Sequence, residues 1–181
     1  AVLSNDAVGG ISGLIENLSA FKALVTDLRE IALRECGINP IFILQLTHSG
    51  RQSIVPMTAY RHPLYEARRP AGDEHIVTDE YLDTLPPLYA EAAKLAVEAG
   101  FDGVDVKSCH GYLFQELLSA FHREGRYGGS FENRTRLFRT AVAESIRLCG
   151  DDFLITSRMN LYDGYPRPDG FGVRDDGTTE P

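Results

Sequence analysis

Apolar residues recur at steps of three and four through Leu14, Leu18, Phe21, Val25, Leu28 and Ala32, the spacing of one helix face, and Gly37 follows as a stop. The pattern predicts a helix over residues 14 to 36. Directly after Pro40 the period changes. IFILQL is short, apolar and rich in β-formers, without alternation of polar and apolar positions, which suits a strand buried on both faces. The same order then repeats. Leu88, Ala92, Leu95 and Ala99 mark a second helix that stops at Gly100, and GVDVKS follows as a strand. A third unit opens at Ser130 as N-cap, continues through Leu137, Phe138, Ala141, Val142 and Ile146, stops at Gly150, and leads into FLITSRM.

Three helix-strand units in succession predict a parallel α/β sheet with right-handed crossovers. Helix-to-strand links are short, whereas the links after the strands are long: residues 47 to 78, rich in Arg, His, Pro and Tyr, and residues 107 to 130, which include the short helical stretch GYLFQELLSAF. Long, chemically varied loops at one end of a parallel sheet mark its active face. The last segment, YPRPDGFGVRDDGTTEP, is polar and rich in Gly and Pro, and reads as a loop or a frayed end.

Length changes the picture. At 181 residues the chain can bury one sizeable core, yet a complete (β/α)8 barrel takes about 250 residues and seldom fewer than about 200. The expectation is a single domain, residues 1–181, forming an incomplete (β/α)8 TIM barrel with about three βα units. The start, AVLSNDAVGGISG, lacks an initiator Met and has the character of a chain cut from something longer rather than of a signal peptide. A doubly wound, flavodoxin-like sheet is the competing fold.

Charge and cysteine content exclude several classes. Against 26 Asp and Glu stand 18 Lys and Arg, a net charge of −8, with the cations dispersed, so no basic patch is offered to nucleic acid. No apolar run approaches the ~20 residues of a membrane span. Cys36, Cys109 and Cys149 are odd in number and widely spaced, which predicts reduced thiols in a cytoplasmic protein and no metal centre.

Candidate chemistry sits at the strand ends. Residues two apart on a strand share a face, and each strand ends with a polar pair at that spacing: Gln45 and Thr47, Asp105 and Lys107, Thr156 and Arg158. A packing layer would be Val, Ile or Leu. Three strands thus aim polar groups at one mouth.

The segments LQLTHSGRQ, AGFDGVDVKSCHGYLFQELLS and REGRYGGSFENRTRLF, in that order and spacing, are similar to the signature segments of the Old Yellow Enzyme family of FMN-dependent oxidoreductases. The resemblance covers roughly residues 14 to 160 and implies the third to fifth strands of the barrel. It implies that Gln45 hydrogen-bonds the pyrimidine edge of the flavin, where an amide offers both donor and acceptor. It implies that Arg158 lies near flavin N1 and O2 and stabilises the charge that gathers there on reduction. In KSCHGY, His110 matches a donor to the substrate oxygen and Tyr112 the donor of a proton to the substrate α-carbon. Lys107 departs from the family pattern, which usually has histidine there; a lysine would grip a carboxylate or carbonyl, contact the flavin, or pair with Asp105 or another acid. His48 and Arg51 are expected to order the loop, Cys109 to be buried without function, Ser130 to cap a helix and Glu132 to complement its N-terminal dipole.

The activity so implied is reduction of FMN by NAD(P)H and hydride transfer from flavin N5 to an activated alkene, with a small-molecule substrate as the partner. Two alternatives stand beside it. One is a flavin-dependent amine or acid dehydrogenase or demethylase. The other is a noncatalytic fragment that binds no flavin alone and self-associates, as a homo-oligomer, through open sheet edges. The family holds the FMN phosphate on loops after the seventh and eighth strands, so a chain with only the middle strands is expected to bind FMN poorly by itself.

Overall fold

The computed structural model describes residues 2–3 and 15–179. Leu14, the first residue of the predicted helix face, and most of the N-terminal stretch lie outside the described residues. In chain order the elements are β1 (Val2–Leu3), α1 (Leu18–Cys36), β2 (Ile43–His48), α2 (Pro63–Arg68), α3 (Asp79–Glu98), β3 (Gly103–Val106), α4 (Leu113–Leu118), α5 (Phe131–Arg134), α6 (Arg136–Cys149) and β4 (Leu154–Thr156). All strand pairs are parallel, and the sheet order β1-β2-β3-β4 follows the chain. A doubly wound sheet reverses its order at a switch point, so this arrangement is an arc of barrel wall. The three predicted helix-strand units are present, and the two-residue β1 adds a strand that apolar periodicity had not revealed.

Leu44 and Leu46 of β2 and Val104 and Val106 of β3 point outward into the core. There they meet Leu82, Leu85, Tyr89, Ala92, Ala93 and Ala96 of α3 and Leu137 and Ala141 of α6. The alanines present almost no side chain, which brings α3 close to the sheet. The opposite, interior face is different. β2 alternates, with Ile43 and Gln45 exposed and Leu44 and Leu46 buried, so the strand is not covered on both sides.

Two boundaries depart from the apolar pattern. α3 begins at Asp79, capped by the Thr78 hydroxyl accepting from Tyr81 N–H at 3.1 Å, and runs through Pro86 and Pro87. Prolines normally end a helix because each removes a backbone donor; fully buried Leu82 and Leu85 favour continuing this one. The third unit opens as expected at Ser130, whose hydroxyl accepts from Asn133 N–H at 3.3 Å, but its helix is broken into α5 and α6 at Thr135.

The loop after β2 is anchored at Gly50. Its φ of 55° is left-handed, and a Cβ there would meet the Leu113 backbone nitrogen at 2.6 Å, at the start of α4. Only glycine fits both demands. A Gly50→Ala substitution is expected to lower the unfolding free energy by about 1–3 kcal/mol, measured by chemical denaturation; an unchanged midpoint would show that the two loops do not need this close approach.

Candidate active site

The strand-end residues do share one face. Gln45, Asp105 and Thr156 lie in one register across the sheet. The Gln45 amide donates to Asp105 Oδ1 at 3.0 Å, and the Thr156 hydroxyl donates to Asp105 Oδ2 at 3.1 Å. Two residues further along each strand come Thr47, Lys107 and Arg158, on the same side by the two-residue period. Lys107 N–H donates to Leu46 O at 3.1 Å and Ser108 N–H to Arg158 O at 2.8 Å, so backbone pairing continues past the ends of β3 and β4. Thr47 is buried, and its hydroxyl has no hydrogen-bond partner among the described residues.

Lys107 is buried, and its ammonium lies 3.7 Å from the centre of the Tyr112 ring. Pairing with Asp105, one of the roles open to it, is not what the structure shows: Asp105 is taken up by Gln45 and Thr156. Tyr112 is half-buried and is the N-cap residue of α4. His110 is exposed, with its ring edge-on to Tyr112 at 6.3 Å. Among the described residues His110 is the one non-glycine with positive φ, 66°. Such backbone is uncommon outside glycine and concentrates at functional sites. Slight desolvation, then the charges of Lys107 and Arg158, hold the His110 imidazole below its ordinary pKa. It is therefore neutral near pH 7 and keeps one ring N–H to donate. Arg158 is exposed and forms no ion pair among the described residues.

What holds the His110 turn was not apparent from the pattern of the chain. Gly111 N–H donates to Gln115 Oε1 at 2.7 Å, the Gln115 amide donates to Asp163 Oδ1, and the Ser119 hydroxyl donates to Asp163 Oδ2. Burial pushes the Asp163 carboxyl above its ordinary pKa. The one available signal was Gln115 and Glu116 interrupting an otherwise apolar helix. The C-terminal stretch is correspondingly not frayed where it meets the site: His62 contacts Asp169 O at 2.8 Å, and Arg68 donates to the Tyr165 hydroxyl at 3.2 Å. Beside His110 these loops border an open, shallow recess of about 480 Å³, lined by Tyr65, Arg68, Gln115, Asp163 and Tyr165.

His48 and Arg51 order the loop, as expected. Arg51 is fully buried, donating from Nε to Glu116 and from Nη1 to Glu66, each at 2.5 Å. His48 Nδ1 accepts from Gly50 N–H at 3.0 Å, so the neutral ring carries its proton on Nε2 and donates to the Tyr81 hydroxyl at 2.8 Å. Burial lowers the His48 pKa to about 4. Cys109 is buried, and its thiol is pushed up by that burial, as an unreactive core cysteine should be.

A depressed histidine pKa means that the unfolded chain binds the proton first. The His48 contribution is complete above pH 6.5 and lost as pH falls toward about 4. Glu116, pushed up to about 7 by burial against the pull of Arg51, titrates with the opposite sign, so a difference between variants is the useful readout. Denaturation midpoints measured from pH 7 to pH 4 are expected to fall less steeply in His48→Gln than in wild type; parallel slopes would mean that His48 is not held neutral.

Comparison with known proteins places these residues in context. A family model described as NADH:flavin oxidoreductase / NADH oxidase matches residues 21–171. The chain is 38% identical over 88 residues to a cinnamate reductase of Clostridium sporogenes, covering 47% of this chain and 13% of that protein. It is 31% identical over 134 residues to an NADPH dehydrogenase of Geobacillus thermodenitrificans, covering 73% of this chain and 38% of that protein. Among solved structures, the Old Yellow Enzyme from Pichia sp. AKU4542 superposes with a TM-score of 0.63 at 26% identity, over 78% of this chain and 39% of that one. The match thus spans well under half the length of each of these proteins, and the arc of parallel strands is part of a TIM barrel.

Proposed function

The chain belongs to the NADH:flavin oxidoreductase / NADH oxidase family, and from that premise we propose that it forms part of the cofactor- and substrate-facing wall of an FMN-dependent oxidoreductase that reduces activated alkenes with NAD(P)H. One observation carries the reading. Three separate strand ends bring Gln45, Lys107 and Arg158 to one interior face, with His110 and Tyr112 on the turn above it.

The donor set suits a flavin. An exposed amide and an exposed guanidinium share the face, and the buried Thr47 hydroxyl there still lacks a partner among the described residues. Gln45 would meet the ring edge, held in orientation by Asp105. Arg158, which forms no ion pair among the described residues, would stabilise negative charge near the pyrimidine end. When bound, FMN supplies the hydride, taken from NAD(P)H and given to the substrate β-carbon.

The chain's own residues have the remaining work. The neutral His110 N–H and the Lys107 ammonium can hold the substrate oxygen on which charge develops, as preorganised donors do. The Tyr112 hydroxyl can give its proton to the α-carbon and be reprotonated from water, which completes addition of H2 across the double bond. A protonated amine is a poor occupant, because Lys107 and Arg158 both repel it; this disfavours the amine dehydrogenase alternative. Three unpaired thiols suit a reducing, cytoplasmic setting.

The test is rapid-mixing kinetics of the full-length protein. In Tyr112→Phe, reoxidation of the reduced flavin by 2-cyclohexenone should slow by about 10²–10⁴-fold, while reduction by NADPH changes little. Equal rates of reoxidation in variant and wild type would remove Tyr112 as proton donor.

A further inference from the structure

We infer that the open-mouthed cavity between the start of α6 and the loop after β4 is a second binding site, one that takes a small amphiphilic carboxylate: a single anionic group on an apolar body. The inference goes beyond the flavin chemistry above and does not depend on it.

The cavity measures about 540 Å³, within the usual range of small-molecule sites. Leu118, Phe121, Phe138, Met159 and Phe171 give it apolar walls. Its lining residues also include three arginines, Arg134, Arg139 and Arg167, and no acid. In a chain with 26 acidic and 18 basic side chains, that bias makes the cavity a place for negative charge. It is separate from the recess beside His110, with which it shares only Asn160.

The protein answers these charges incompletely. Arg134 and Arg167 both lie over the Phe121 ring, 3.7 and 5.5 Å from its centre. Arg134 donates to the carbonyls of Gly129 and Leu118, which fixes the guanidinium in place but gives it no ion-pair partner among the described residues. Burial and then the charge of Arg167 hold Arg134 below its ordinary pKa, against an opposing effect of Tyr60. The acid that Arg167 meets, Asp175, is 3.8 Å away and 91% exposed, where solvent screening leaves little attraction. Arg139 is exposed and makes no side-chain hydrogen bond or ion pair among the described residues. Two guanidiniums on one ring repel each other, and an anion beside them relieves both. A carboxylate offers the planar pair of oxygens that a guanidinium fork matches, and an apolar body attached to it covers the phenylalanines. Inorganic phosphate meets only the first demand and an uncharged apolar molecule only the second.

The experiment is a titration of the full-length, FMN-loaded protein carrying carbon-13 methyl-labelled methionine, in which Met159 reports from the cavity wall and its signal is assigned with Met159→Leu. 4-Phenylbutyrate should shift that signal saturably, with 4-phenyl-1-butanol and inorganic phosphate each binding about 10-fold more weakly or not at all. Arg139→Gln and Arg167→Gln should each weaken binding of the acid on the order of 10-fold, as loss of a charged hydrogen bond does, and leave the alcohol nearly unchanged. Both side chains are exposed, so the fold should survive their loss, whereas Arg134, which holds two carbonyls, is left intact. Lys107→Gln, which alters the strand-end face instead, should leave the affinity for the acid unchanged. Weakening in Lys107→Gln without weakening in Arg139→Gln would move the ligand to the flavin site and overturn the inference. A Met159 signal that does not respond, as when a second copy or another segment of the full-length chain fills the cavity, would also overturn it, as would acid and alcohol bound alike.

Discussion

The buried Arg51–Glu116 ion pair is the constraint on which the rest of the site depends. Arg51 follows β2 in the chain and Glu116 lies on α4, and their side chains are respectively 1% and 0% exposed. A lone charge at either position would be untenable, and removing one partner of such a pair costs about 3–5 kcal/mol. Here the polar groups are well satisfied. Arg51 also donates to Glu66, Arg69 O and Tyr60 O, and Glu116 Oε2 accepts from Ala59 N–H. The loop after β2 is thereby fastened to the helix that begins just after Tyr112. Gly50 brings the two backbones together at the same place, so the pair determines where His110 and Tyr112 stand relative to the strand ends.

A second polar chain fixes the same turn from the other side. Asp163, in the loop after β4, holds Gln115, which holds Gly111 beside the left-handed His110. Loops after three successive strands thus converge on one dipeptide. This is the usual division of labour in a barrel, where strands supply a rigid rim and the loops above it supply chemistry. The interior face carries Gln45, Asp105 and Thr156 as a cross-strand ladder, and its exposure suits a wall that faces a cofactor.

Much of this was legible in the chain. The two-residue period at the strand ends predicted which side chains share a face, because alternation follows from the backbone alone. Helix stops at Gly37, Gly100 and Gly150 were legible for a similarly local reason. The parts that were hidden are long-range. Arg51 and Glu116 are 65 residues apart and Gln115 and Asp163 are 48 apart, and no local pattern announces such partners. Asp163 falls just before a Gly/Pro-rich segment, where the absence of periodicity suggests a loose end. The start of α3 was hidden because Pro86 and Pro87 argue locally against a helix that burial nevertheless favours. Val2–Leu3 is too short for any pattern to register.

The central claim is that the strand-end face of β2, β3 and β4 meets the flavin. Its most direct test is the visible absorption spectrum of the full-length protein titrated with FMN, wild type beside Arg158→Leu and Gln45→Leu. A saturable flavin shift in wild type, with weaker affinity in both variants and the fold retained by circular dichroism, is the predicted result. A wild type that produces no shift, or variants that bind FMN as tightly as wild type, would contradict it.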